Sequence, residues 1–91
     1  MSRLNASHAN AMAQRLADGL RDVPGVSIAY PVQANAVFAK VPPRQIEALQ
    51  REWFFHTWDE SRSLVRWMTA FDTSPAAVDA FLADIHATAD S

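Results

Sequence analysis

The sequence contains no cysteine. That absence excludes disulfides, thiolate zinc sites, CxxC redox chemistry and cysteine nucleophiles together. Glycine is almost as scarce, with 2 in 91 residues, so there is no glycine-rich phosphate loop. Basic excess is missing too. Eight Lys plus Arg stand against ten Asp plus Glu, a formal net charge of −2. Such a chain has no general attraction to nucleic acid or to an anionic membrane surface. No apolar run approaches the roughly 20 residues that cross a bilayer. The polar stretch from Met1 to Asn10 has no hydrophobic signal core. These absences lead to the expectation of no nucleic acid, no membrane and a cytoplasmic location. What remains is 49% hydrophobic and 20% charged, and its length predicts one small domain over 1–91. A chain of this size buries only about 64% of its unfolded surface, which leaves little margin of stability.

Punctuation falls at Pro24-Gly25, Pro31, Pro42-Pro43, Asp59-Glu60-Ser61 and Ser74-Pro75. Ahead of the first break, Met12, Leu16, Leu20 and Val23 form one apolar helical stripe, with Asn5 or Ser7 able to cap it. Val26, Ile28 and Tyr30 then alternate with Ser27 and Ala29, and Asn35 to Val41 follows the turn at Pro31 to Ala34. This reads as a hairpin. Both faces of its second strand are apolar, with Val37, Ala39 and Val41 on one side and Ala36 and Phe38 on the other. That pattern predicts a central strand covered on two sides. Pro42-Pro43 opens a short helix through Ile46 and Leu49. Strands are expected over Trp53 to Trp58 and Ser63 to Phe71, with a turn at Asp59 to Arg62. On the last strand Leu64, Met68 and Ala70 share a face with Arg66, while Val65, Trp67, Thr69 and Phe71 share the other. Ser74 and Pro75 start the final helix, whose Val78, Phe81, Leu82 and Ile85 fall at i, i+3, i+4 and i+7. Residues beyond His86 are expected to fray. The fold class is therefore α+β: a small antiparallel sheet with helices mainly on one face, in the order α-β-β-α-β-β-α. The other face needs a cover from elsewhere, whether a partner or a missing domain.

Few residues suggest chemistry. His8, His56 and His86 lie in separate elements without metal-ligand spacing, so no metal site is expected. No GxSxG nucleophile elbow is present. The acids fall where solvated helix faces and turns are expected, so no carboxylate pair is assigned to a cleft. Phe54, Phe55, Trp58 and Trp67 supply aromatics for base stacking, but the basic groove and RNP-like motif are absent. Lys40, the sole lysine, sits at a strand end with no cofactor motif beside it and reads as a surface residue. Arg66 stands apart, in the middle of the apolar run Leu64-Val65-Arg66-Trp67-Met68. Burying a guanidinium there is costly unless an anion satisfies it, and its planar fork suits a carboxylate. Alternatively it snorkels to water from an edge strand or pairs with an internal acid.

Ordered blocks of the sequence resemble the C-terminal domain of low-specificity L-threonine aldolases. His8-Ala9-Asn10-Ala11-Met12-Ala13 with Arg15-Leu16-Ala17 is similar to the start of that domain, and Pro24-Gly25-Val26 follows. Tyr30-Pro31-Val32-Gln33-Ala34-Asn35-Ala36-Val37-Phe38 is similar to the family's P-x-x-A-N-x-V-F hairpin. Val65-Arg66-Trp67-Met68-Thr69-Ala70-Phe71-Asp72-Thr73 resembles its V-R-L-V-T-S-F-D-T strand, and Val78-Asp79-Ala80-Phe81 closes the pattern. The likeness covers about residues 7–86. Trp67 departs from the family's aliphatic residue, and Phe54-Phe55-His56-Thr57-Trp58 from its aromatic followed by glycine. The resemblance implies the small domain of a fold-type I, pyridoxal-phosphate-dependent lyase that cleaves β-hydroxy-α-amino acids to glycine and an aldehyde. It also implies that Arg66 helps clamp the substrate α-carboxylate. The family's Schiff-base lysine and phosphate cup belong to a large domain that these residues do not match. No catalytic residue is therefore assigned here, and neither bound pyridoxal phosphate nor activity is expected of the chain alone. Its expected partner is that large domain, with a split enzyme whose second chain carries it as one alternative. A self-associating, homo-oligomeric interaction or small-ligand module is the alternative.

Overall fold

The computed structural model describes residues 3–32, 34–70 and 72–89. Its elements are α1 (Arg3–Leu20), β1 (Ser27–Ile28), β2 (Ala36–Lys40), α2 (Pro43–Gln50), β3 (Thr57–Asp59), β4 (Leu64–Met68) and α3 (Pro75–Thr88). The strands form one antiparallel sheet in the order β1-β2-β4-β3. The expected α+β class and element order are both present.

Strand alternation decides which side of the sheet meets the helices. Val37 and Ala39 of β2 and Val65 and Trp67 of β4 are buried. They join one apolar cluster with Met12, Leu16 and Leu20 of α1, Ile46 and Leu49 of α2, and Val78 and Ile85 of α3. Register puts Phe38 opposite Arg66 and Ala36 opposite Met68, on the reverse side. Here the structure departs from the two-sided cover expected for β2. The strand is central, as expected, but the described residues place helices on one face only.

The helices lock together at close contacts. Gly19 of α1 lies against Leu82 of α3, where an added Cβ would come within 2.4 Å of Leu82 Cδ1. Arg15 and Asp79 pair across the same two helices with bonds of 2.9 and 2.8 Å. Ser74 caps α3 as expected, its hydroxyl accepting from the Ala77 N–H at 3.0 Å.

Local boundaries differ from the expected ones in several places. α1 already runs from Arg3, so Asn5 and Ser7 lie inside the helix rather than capping it. The expected strand over Trp53 to Trp58 shrinks to Thr57–Asp59. Helix α2 ends in a turn instead, with Trp53 N–H donating to Leu49 O, and the Gln50 side chain holds Phe55 O. Trp53 and Phe55 thereby pack against the helix-side cluster. The turn expected at Asp59 to Arg62 is present as a single 3-10 turn, with Asp59 Oδ1 accepting from the Ser61 amide and hydroxyl. Finally, α3 continues to Thr88, past the point expected to fray. Buried Gln45 donates to Ile85 O at 2.6 Å and to Thr88 Oγ1 at 3.1 Å, satisfying groups that a helix end leaves open. Gln33, in the expected hairpin turn, and Phe71, at the expected strand end, lie outside the described residues.

The Arg15–Asp79 pair has a pH signature. The bond to Arg15 holds the Asp79 carboxyl below the usual carboxylate range, and the arginine is raised in turn. A carboxyl whose folded pKa is depressed stabilises the fold above its unfolded value, about 3.9, and loses that contribution as pH falls through the folded one. Asp79→Asn is therefore expected to lower the urea midpoint slightly at pH 7, with the difference from wild type shrinking in acid well below the unfolded value. Both side chains are exposed, so 1 M salt is expected to shrink the difference as well. Urea titrations at the two pH values check this, and a difference that persists in acid would contradict it.

Candidate functional site

The motif blocks noted in the sequence meet at one corner of the fold. Thr69 N–H donates to Asn35 O at 3.0 Å, and Asn35 Nδ2 donates back to Thr69 O at 2.6 Å. This reciprocal clip extends the β2–β4 pairing beyond the strands themselves. Thr69 Oγ1 donates to Ala9 O of α1 at 2.6 Å. His8 Nε2 reaches Thr73 O at 2.5 Å, so that nitrogen carries the hydrogen in this bond. Side chains of three separated blocks thus fasten the start of α1, the start of β2 and the end of β4. These bonds tie the end of β4 to β2 and to α1.

Arg66 points to the uncovered face and is exposed. Around it stand Phe38, Tyr30, Trp58 and Met68, the last three 46%, 55% and 56% exposed. Tyr30 and Phe38 meet edge to face with ring centres 5.6 Å apart, and Phe38 and Trp58 repeat that geometry. The Arg66 guanidinium carbon lies over the Trp58 ring, 4.4 Å from its centre. Arg15, Arg21, Arg51 and Arg62 each pair with an acid. Among the described residues Arg66 has no such partner, and neither has Lys40 on the same face.

Of the two readings of Arg66 from sequence, pairing with an internal acid is thus not what the structure shows. The side chain reaches the surface from a central strand rather than from an edge. Sequence reasoning named Arg66 but missed its contact with Trp58. The signal lay in the β3–β4 register, where Thr57 opposite Val65 brings Trp58 alongside Arg66.

The remaining candidates do not assemble into a site. His56 is exposed against the Phe54 ring, just before β3 rather than within the strand expected over Trp53 to Trp58. His86 is exposed and lies 3.3 Å from Gly19 O. No cluster of metal-ligating side chains occurs among the described residues. The acids serve the fold: Asp84 accepts from Trp53 Nε1 at 2.8 Å, and Ser61 holds Asp59 below the usual carboxylate range. A cleft of about 180 Å³ opens on the helix side between Trp53, Phe55, Trp67, Phe81 and Thr73. It is mostly apolar, with no charged group among its lining residues. No helix among the described residues is long and apolar enough to cross a membrane.

No family model matches the chain. Curated proteins do. A low-specificity L-threonine aldolase from a Pseudomonas species is 40% identical over 84 residues, covering 91% of this chain and 24% of that protein. A second, from Pseudomonas aeruginosa, is 42% identical over 81 residues, covering 88% of this chain and 23% of that protein. The chain spans about a quarter of the length of the curated relatives it matches. Nearly all of it is therefore similar to one domain-sized portion of the low-specificity L-threonine aldolases.

Proposed function

We propose that this chain is the C-terminal, substrate-carboxylate-binding domain of a cytoplasmic, pyridoxal-phosphate-dependent aldolase that cleaves β-hydroxy-α-amino acids, L-threonine among them, to glycine and an aldehyde. One observation carries the reading. Arg66, in an otherwise apolar central strand, presents a guanidinium without a carboxylate partner on the uncovered sheet face. A guanidinium accepts an α-carboxylate through two parallel hydrogen bonds, which fixes both the position and the rotation of the bound amino acid. Orienting the Cα–Cβ bond for cleavage is what such a group contributes.

The cofactor does not fit the residues present. Its covalent anchor is a lysine amine activated by an enclosed environment. Lys40 is exposed at the end of β2 and does not line the apolar cleft on the helix side. In this reading the anchoring lysine belongs to the large domain, which also covers the open sheet face. Tyr30, Trp58 and Met68 call for apolar surface there and Lys40 for an acidic group, while the Arg66 guanidinium is kept for the substrate.

The exposed aromatic face also favours a second reading, in which two copies of this chain cover one another as a homo-oligomeric module. Sedimentation separates the two: a concentration-independent monomer removes self-association.

The direct test compares the 91 residues alone with the same chain mixed with the cofactor-bearing portion of a threonine aldolase. Alone, the chain is expected to retain no cofactor and to release no glycine from L-allo-threonine. Mixed, it is expected to restore cleavage. Glycine release by the chain alone would overturn the proposal.

A further inference from the structure

The uncovered face carries a contact that the β2–β4 register does not supply. Arg66 is paired in register with Phe38, yet its guanidinium lies over Trp58. Trp58 is set against Phe38, and Phe38 against Tyr30, each pair edge to face at 76°. Three rings thus run across the sheet, and the guanidinium rests on the last of them. More than half of Trp58 is exposed, so burial alone does not account for its place.

A cation over an aromatic face is attracted by the ring's quadrupole. The five N–H donors of a guanidinium lie in its own plane, and those of Arg66 meet no acceptor among the described residues. An acidic partner would act differently. Asp79, for example, takes two donors of Arg15. The Trp58 contact orders the Arg66 head while leaving its fork free. Side-chain order that exists before binding does not have to be acquired during it.

We propose that Trp58 is a positioning residue, holding the Arg66 guanidinium so that its free edge meets a planar carboxylate. The inference rests on the reading of Arg66 as the carboxylate-binding group. The role given to Trp58 itself draws nothing from the family likeness, because residues 54–58 are where this chain departs from the family pattern. Phe38 supports the arrangement by fixing the tilt of the Trp58 ring.

Two substitutions separate a π-face from mere bulk. Trp58→Leu keeps apolar volume and removes the ring, while Trp58→Phe keeps a smaller ring. In the enzyme assembled from this chain and a cofactor-bearing portion, Trp58→Leu is expected to raise the KM for L-threonine about two- to five-fold, with kcat little changed. Trp58→Phe is expected to recover most of the loss. In the 91-residue chain alone, the Arg66 Nε–H resonance is expected upfield of an ordinary exposed arginine because of the indole beneath it. Trp58→Leu is expected to return it to the ordinary position while the rest of the amide spectrum stays in place. An unmoved resonance, or an unchanged KM, overturns the assignment to Trp58. Arg66→Ala in the same assembled enzyme keeps the two ideas apart. If it leaves KM unchanged, the carboxylate reading itself fails. If it raises KM while Trp58→Leu is silent, only the role of Trp58 is lost.

Discussion

Trp67→Ala is expected to lower stability by about 3–5 kcal/mol, the range for emptying a large aromatic site. A small domain has roughly 5–15 kcal/mol in total, so much of the variant is expected to unfold at modest urea concentrations. The reason lies in what the ring joins. Trp67 is 4% exposed on the helix side of β4. It meets Phe81 of α3 with ring centres 5.0 Å apart and Phe55 at 5.7 Å, both nearly perpendicular. Phe81 continues the contact to Trp53 at 4.9 Å. Removing the indole therefore unlinks the sheet from α3 and from the segment after α2 together.

Trp67→Phe is expected to behave differently. The indole N–H is buried without a hydrogen-bond partner among the described residues, and an unmade bond of this kind costs about 1–3 kcal/mol. Phenylalanine loses contact area but removes that orphan, so its net effect is expected within about 1 kcal/mol of wild type. Urea midpoints for the two variants check both statements. Equal losses for Trp67→Phe and Trp67→Ala would contradict the assignment of a cost to the orphan N–H.

What could be read from sequence was what local chemistry dictates. Ser74-Pro75 starts a helix because a hydroxyl followed by proline satisfies and pre-sets the first turn. Val37 and Ala39 against Ala36 and Phe38 show the two faces of β2 because side chains alternate along any strand. Arg66 stood out because a charge within an apolar run is costly to bury, and the alternation of β4 puts it on the exposed side. The aldolase likeness was legible in ordered blocks, and the comparisons with known proteins agree with it.

What escaped depended on residues far apart in the chain. The last turn of α3 looked frayed from its small polar residues, but Gln45, 40 positions away, holds it. Trp53 and Phe55 looked like strand residues from their β propensity. The helix-side cluster claimed them instead, and tertiary packing overrode the local preference. Trp58 was visible as an aromatic, but its pairing with Arg66 required the register of β3 on β4, which has an irregularity between Thr57 and Asp59. No local pattern encodes that shift.

For the assembled enzyme, Arg66→Ala is expected to reduce kcat/KM for L-threonine about 100-fold, most of it through KM. Losing charge-assisted hydrogen bonds costs about 1.5–3 kcal/mol, and about 1.4 kcal/mol corresponds to each factor of ten. Arg66→Lys is expected to recover little, because a point charge cannot make the two parallel bonds of the planar fork. The stability of the same variants separates function from folding. Arg66 is exposed and engages no acid among the described residues, so both substitutions are expected to shift stability by less than about 1 kcal/mol. A guanidinium that merely snorkels would show the reverse pattern, with KM unchanged and any loss confined to the fold. Steady-state kinetics and urea titration of Arg66→Ala and Arg66→Lys together therefore decide between a ligand-binding guanidinium and a structural one.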